Sequence, residues 1–294
     1  MASGQERKLR RRISSVQSTK KITRAMELIA ASRIVKAQQR VAAARPYAEQ
    51  ITEVLRQLVA AGVALDHPLL KERDVSTVGY IVLAADRGLA GAYNTSVLRT
   101  ADHALQDDIG DGKDYSLSLG GGKAVGFFRY RGYRIDESHT GYTEQPGYED
   151  ARAVASPIMS RYEEGDVDQV QLVYTRILSV GSQPVVNTRL LPMEKGEIED
   201  LAAEGPEADY EFEPGAEGIL ERLLPRYVEA RVFAAMLDAA ASEHAARQRA
   251  MKSATGNAEE MIKTLSVEAN KIRQAGITTE IMDVVGGAEA LRKS

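Results

Sequence analysis

The sequence predicts a mixed α+β/α/β fold: a long antiparallel coiled coil of N- and C-terminal helices with a Rossmann-like α/β domain inserted between them. Three observations carry this expectation. Residues 242–291 place apolar or small side chains at Met251, Ala254, Ala258, Ile262, Leu265, Ala269 and Ile272. Those alternating steps of three and four wind one narrow seam along a helix, a pattern that seeks a partner helix. Residues 5–61 show the same stepping with Pro46 as the one interruption. Between the two, short β-branched runs alternate with helical segments, the grammar of a small domain with a largely parallel sheet.

From Arg226 to Ser253 there is no proline or glycine and alanine is abundant. One helix can therefore run from Arg226 to Val285, with Gly256 and Gly276 as weak points costing roughly 1 kcal/mol each. About sixty residues at about 1.5 Å each predict a rod on the order of 90 Å, too long for the inside of an ordinary domain. Pro225 is expected to break or bend the helix ahead of it, leaving a short piece through Leu224. In the N-terminal helix the seam starts at Leu9, Ile13 and Val16, shifts to Ile22, Met26 and Ile29, and finishes at Tyr47, Ile51, Val54 and Leu58. Gly4 precedes it, Gly62 ends it, and Pro46 is expected to kink it or open a new turn. Residues 1–65 and 216–294 are then natural partners, each lending the other an apolar face.

The inserted domain is expected over residues 75–192. Strands are predicted at 77–84, 115–119 and 133–138, and helices at 93–107, 123–131 and 149–163. Residues 168–178 and 185–191, joined across Gly181 to Pro184, read as an antiparallel hairpin. Residues 193–215 read as an acidic linker, rich in glycine and proline, that returns the chain to the coiled coil.

Composition narrows the function classes. Net charge is −4, so no global field favours nucleic acid or an anionic membrane. The charge is uneven: eight Lys/Arg fall within the first 24 residues, and ten acids face one base between Glu194 and Glu217. The chain has no cysteine, which removes disulfides, thiolate catalysis and cysteine-ligated metals. No stretch of 18 apolar residues is present, so no spanning helix is predicted. The basic, nearly acid-free first thirty residues superficially fit a transit peptide, but the helical pattern continues past residue 60, so mature structure and the bacterial cytoplasm are expected.

The glycine-rich turns invite an enzyme reading first. Ser118 to Lys123 follows a strand and precedes a helix, where phosphates settle on helix N-termini. A P-loop, however, requires GxxxxGK[ST]; here Leu117 stands where the first glycine belongs and Ala124 follows Lys123. Asp86 to Asn94 also joins strand to helix, and for both segments a tight turn is the expected role. His67, His103, His139 and His244 are scattered, no metal site is expected, and no GxSxG elbow is present. No cofactor and no catalytic residue is predicted. The basic run Arg7 to Arg12 lacks interleaved aromatics, so an acidic protein partner is favoured over nucleic acid.

Three segments carry a family resemblance. Arg12 to Arg33 (RISSVQSTKKITRAMELIAASR) resembles the N-terminal signature of the gamma subunits of F-type ATP synthases. Asp86 to Asn94 is similar to their central motif. Ser242 to Arg247, Ala250 to Ala258 and Arg273 to Glu280, with Gly287-Ala288, are similar to their C-terminal signature. The resemblance spans nearly the whole chain in family order. It implies a non-catalytic central rotor shaft that transmits torque between a proton-driven ring of c subunits and a hexamer of alpha and beta subunits, and that regulates ATPase activity and proton flow. It implies alpha, beta, epsilon and c-ring subunits as partners, one copy per complex, and a peripheral place on the cytoplasmic face of the bacterial membrane.

Residue by residue, the resemblance implies rotor–stator contacts at Lys20, Lys21, Arg24 and Met26, at Arg247, and at Arg273, Gln274, Thr278 and Glu280. It places Phe212 and Glu213 at the c-ring foot. Two departures are visible: Ala90 stands where the family motif commonly has cysteine, and thiol regulation is excluded because the chain has none. The turns from Arg273 to Leu291 are expected to outrun the N-terminal helix.

Overall fold

A computed structural model describes residues 2–60, 67–179, 181–193 and 215–293. The chain divides into two compact units, Met1–Ile29 with Gln248–Ser294, and Ala30–Arg247. Helices α1 (Ala2–Ala60) and α5 (Ala216–Lys293) each contribute to both units.

In the first unit α1 and α5 pair antiparallel. Thr23 Oγ1 and Thr255 Oγ1 hydrogen-bond at 2.8 Å, and Lys20 Nζ meets Glu259 Oε1 at 2.8 Å. The α5 side of this pair buries Met251, Thr255, Ala258, Leu265 and Ala269, with Ile262 and Ile272 half-buried. The α1 side departs from expectation. Its covered positions run Leu9, Ile13, Val16, Lys20, Thr23 and Glu27, one unbroken alternation of four and three. Ile22 and Ile29, expected in the seam, are instead 60% and 54% exposed. Periodicity was therefore stronger than apolarity: the seam keeps its heptad through polar residues, and the expected shift to Ile22, Met26 and Ile29 does not occur. Thr23 tolerates burial because Thr255 answers its hydroxyl, and Glu27 because Arg24 Nη1 reaches both its oxygens at 3.0 and 2.9 Å.

The second unit is built on a five-stranded sheet. Its strands are β1 (Thr77–Leu83), β2 (Asp114–Gly120), β3 (Glu137–His139), β4 (Gln169–Thr175) and β5 (Val185–Leu191), in spatial order β3-β2-β1-β4-β5. The first four are parallel, and β5 closes one edge antiparallel to β4. Crossovers run through α2 (Tyr93–Gly110), α3 (Gly122–Tyr130) and α4 (Tyr148–Glu164). Alternation along β1 divides the core in two. Val78, Tyr80 and Val82 join Leu105, Leu119 and Phe128 on one face. Ile81 and Leu83 join Ile158, Tyr162, Leu55 and Leu58 on the other, where Leu224, Val228 and Val232 also pack.

Two local expectations need correction. The third strand, expected at 133–138, is the short β3, set by pairing Ser118 to Glu137 and Gly120 to His139. Pro225 does not break α5, which runs unbroken from Ala216 to Lys293. A proline removes one hydrogen bond and crowds the preceding turn. At Pro225 the flanking Leu224 and Val228 are fully buried in the core, and that packing holds the helix through the defect.

The β1–β4 junction is fastened by one carboxylate. Asp168 Oδ2 accepts from Ser76 N at 2.9 Å, Ser76 Oγ at 2.6 Å and Thr77 N at 2.9 Å. Burial alone would raise its pKa, yet the hydrogen bonds from Ser76 and Thr77 hold it below the ordinary aspartate value. A depressed folded pKa contributes stability above the unfolded value that is lost as pH falls through the folded one. Asp168→Asn is expected to cost about 1–2 kcal/mol at neutral pH, since bonds to a charged acceptor become bonds to a neutral one. Urea unfolding from neutral to acid pH should show the difference between the two proteins shrinking as the wild-type carboxyl protonates.

Candidate functional site: the helical pair and the glycine turns

On the first unit, the sequence-predicted residues other than Lys20 lie outside the seam. Lys21 and Arg24 are exposed and Met26 is half-buried, while Lys20 is held by Glu259. They sit among the outward-facing Ile22, Leu28 and Ile29, each more than half exposed. The result is a basic surface with apolar side chains set into it. Arg273, Gln274, Thr278 and Glu280 are exposed along α5, and Thr278 Oγ1 donates back to Gln274 O at 3.0 Å.

Beyond these residues α5 loses its partner. Counting outward from the Thr23–Thr255 pair, Ala2 falls opposite about residue 276. The overhang starts a few residues past the expected Arg273. It carries Ile277, Ile281, Met282, Val284 and Val285, all between 49% and 72% exposed. Five large apolar side chains within nine residues form a contiguous patch that demands a covering surface. Phe212 and Glu213, expected at a foot, lie outside the described residues.

Arg247 differs from the other predicted contacts. In the second unit its side chain is 9% exposed, and Nη2 donates to Glu243 Oε1 at 2.6 Å, one turn back, and to Gly88 O at 3.3 Å. Burial raises the Glu243 pKa and the Arg247 charge opposes that rise. Around this pair Tyr93 donates to Ala239 O at 3.2 Å, Ser242 to Thr175 O at 3.2 Å, and Ala90 packs with Ala85, Tyr93 and Ala246. The segment 239–247 thus lies over the carboxyl ends of β1 and β4, the point where strand order reverses. Open α/β sheets bind ligands at that place. Here a helix fills it.

The glycine turns are filled in the same way. Asp86 Oδ1 accepts from Gly122 N at 2.9 Å, at the start of α3, and Oδ2 accepts from Gly141 N and Thr143 Oγ1, both at 2.9 Å. The carboxylate occupies the anion position at the helix N-terminus that a phosphate would take. Motif inspection alone could not find this, because the filling residue lies 36 positions upstream of its partner glycine.

The chain's likeness to known proteins matches this geometry. The sequence profile of a family described as ATP synthase matches residues 5–291. An ATP synthase gamma chain of Frankia casuarinae is 52% identical over 293 residues, with 98% of both chains covered. That of Mycolicibacterium smegmatis is 49% identical over 306 residues, again with 98% of each covered. Among solved structures, the fold is similar to a chain of the Euglena gracilis mitochondrial ATP synthase rotor (TM-score 0.66, 17% identity, 94% of this chain and 99% of that one).

Proposed function

The chain belongs to the gamma-chain family of ATP synthases, and from that premise we propose that it is the central shaft of the rotary motor, carrying torque between the c ring and the alpha/beta hexamer. The observation that carries the reading is the unpaired end of α5. A stand-alone coiled coil hides its apolar residues in its seam. This one places polar Lys20, Thr23 and Glu27 there and turns Ile22, Leu28, Ile29 and the Ile277–Val285 patch outward. Such a surface suits a surrounding sleeve that supplies the missing apolar contacts at every angle.

A turning shaft has to hold its own two strands together more tightly than it holds the sleeve. The Thr23–Thr255 and Lys20–Glu259 links fix the register within the pair, so a load on one helix is shared by the other. Outside, the cations Lys21 and Arg24 beside Met26 meet acidic partner surface through screened contacts that break and re-form cheaply. Arg273, Gln274, Thr278 and Glu280 do the same nearer the end. In the second unit, Arg247 works from within: by tying Glu243 to the Gly88 carbonyl it joins α5 to the β1–α2 turn. Torque entering the α/β domain reaches the helix there.

The subunit itself is non-catalytic in this reading, which the Asp86 carboxylate and the 239–247 segment support by filling the places where a nucleotide would bind an open α/β sheet. Its membrane attachment is peripheral and passes through partner subunits, with regulation of hydrolysis and proton flow exerted through those contacts. Among the described residues no helix is long and apolar enough to cross a membrane.

The absence of native cysteine permits a direct test. Tyr130, 92% exposed at the end of α3, is replaced by cysteine as the one attachment point for a bead, with the alpha/beta hexamer fixed to glass. ATP is expected to drive stepwise rotation in one direction. A ring that hydrolyses ATP while the bead stays still would overturn the proposal. In membrane vesicles, Met26→Lys is expected to lower proton pumping per ATP hydrolysed several-fold by adding a cation opposite acidic partner surface.

A further inference from the structure

A cavity in the second unit is left unused by the shaft role. It encloses about 510 Å³, within the range of small-molecule sites. Arg33, Lys36 and Arg40 of α1 line it, three cations at positions i, i+3 and i+7 on one helix face. They occupy a span on the order of 10 Å along the helix. One carboxylate, Glu144, lines the cavity with them, so the lining carries an excess of positive charge.

Two features separate this from a solvated basic face. Both guanidinium groups are held by the same loop, Arg33 by the Glu144 carboxylate and Arg40 by the Pro146 carbonyl. An arginine carries five N–H donors, so each keeps further donors at a fixed, cavity-lining position. At the wall, His244 is 2% exposed. Its Nε2 lies 3.4 Å from Glu144 O, and its Nδ1 has no partner among the described residues. His244 is thereby held by the same loop that holds the two arginines. The remaining wall is apolar, from Ala37, Leu237 and Ala240.

We infer that this cavity binds a small oligophosphate anion, with Arg33, Lys36 and Arg40 clamping successive phosphoryl groups. Guanidinium forks match phosphate oxygens pairwise, and the helical rise between the three cations favours a linear polyanion over a single phosphate. The concave shape, lined by held guanidinium groups and by apolar side chains, favours a small molecule over an acidic protein segment. A ligand seated there would bridge α1, the 144–146 loop and α5 within the unit and stiffen that unit by occupancy.

Calorimetric titration of the full-length chain at low salt, with tripolyphosphate as probe, tests the inference. Saturable one-to-one binding is expected, weakened roughly tenfold by Lys36→Gln and abolished by Lys36→Glu. Lys36 is exposed and carries no structural contact in the cavity wall, so neither variant should disturb folding; unchanged circular dichroism and melting would confirm this. Lys8→Gln, an exposed cation elsewhere on α1, should leave affinity unchanged. ATP in place of tripolyphosphate distinguishes the source of the phosphates: tighter binding means the nucleoside uses the Ala37–Leu237 wall, and equal binding means the phosphate chain suffices. No binding, binding indifferent to Lys36→Glu, or binding of a polyglutamate peptide without tripolyphosphate would each overturn the inference.

Discussion

Arg247→Met is expected to destabilise the chain by about 3–5 kcal/mol, the cost of leaving a buried charge without its partner. The physical reason is Glu243, 1% exposed and held by Arg247 at 2.6 Å. With the cation removed, burial acts on Glu243 unopposed and raises its pKa further above the ordinary glutamate value. The sign then follows from linkage. A group with a raised folded pKa is most favourable below its unfolded value, and that advantage is lost as pH rises through the folded pKa. The variant should therefore be least impaired in mild acid and lose stability progressively toward neutrality, where the buried carboxylate must ionise or unfold. Chemical unfolding of the full-length chain across that range checks both the size and the slope. Adding Glu243→Gln should recover much of the loss, because an uncharged amide replaces the orphaned carboxylate; failure of that rescue would mean Arg247 acts through packing alone.

Gly121→Ala is expected to be the most damaging single substitution in the α/β domain, with a loss of 3 kcal/mol or more. Gly121 sits at φ +95°, where an L side chain is strained, and a Cβ there would stand 2.2 Å from Ala84 O and 2.8 Å from Ala84 C. Those are main-chain atoms of the segment that follows β1, so no side chain can rotate away. The backbone of Gly121 also donates to His139 O at 2.7 Å, which links the turn to β3. Gly126→Ala is the control: on α3, with open space around its Cβ position, it should be neutral or slightly stabilising. Low soluble yield and a lowered melting temperature for the first, beside an unchanged second, is the expected pattern.

These two positions show what was legible in the sequence. The strand-to-helix turn at Ser118 to Lys123 was readable because glycines mark tight turns at any distance from their partners. That its anion position is filled by Asp86 was not, since the pairing spans the whole of α2 and β2. The α5 seam was legible because its residues are apolar or small at heptad spacing. The α1 seam was misread for a related reason. Lys20, Thr23 and Glu27 keep the spacing but not the hydrophobicity, and the isoleucines beside them drew the expected seam one position aside. Thr23 becomes intelligible only when Thr255 is seen opposite it, 232 residues later. The break expected at Pro225 follows a local rule, and the packing of Leu224 and Val228 in the core overrides it. The contact residues were reached through family resemblance, since the surfaces they meet belong to other chains.

The apolar outer surface of the helical pair bears on how such a chain is made. A protein that sets Lys20, Thr23 and Glu27 into an otherwise apolar seam and leaves isoleucine, leucine, methionine and valine on its outside is an incomplete solute. Free copies, exposing Ile22, Leu28, Ile29 and the Ile277–Val285 patch, would meet one another before they met a sleeve. Synthesis in step with the other subunits, or escort until they close around it, becomes a requirement written into the amino-acid order. Surplus chain would be lost to aggregation or proteolysis, so the supply of this one polypeptide would ration the number of finished motors.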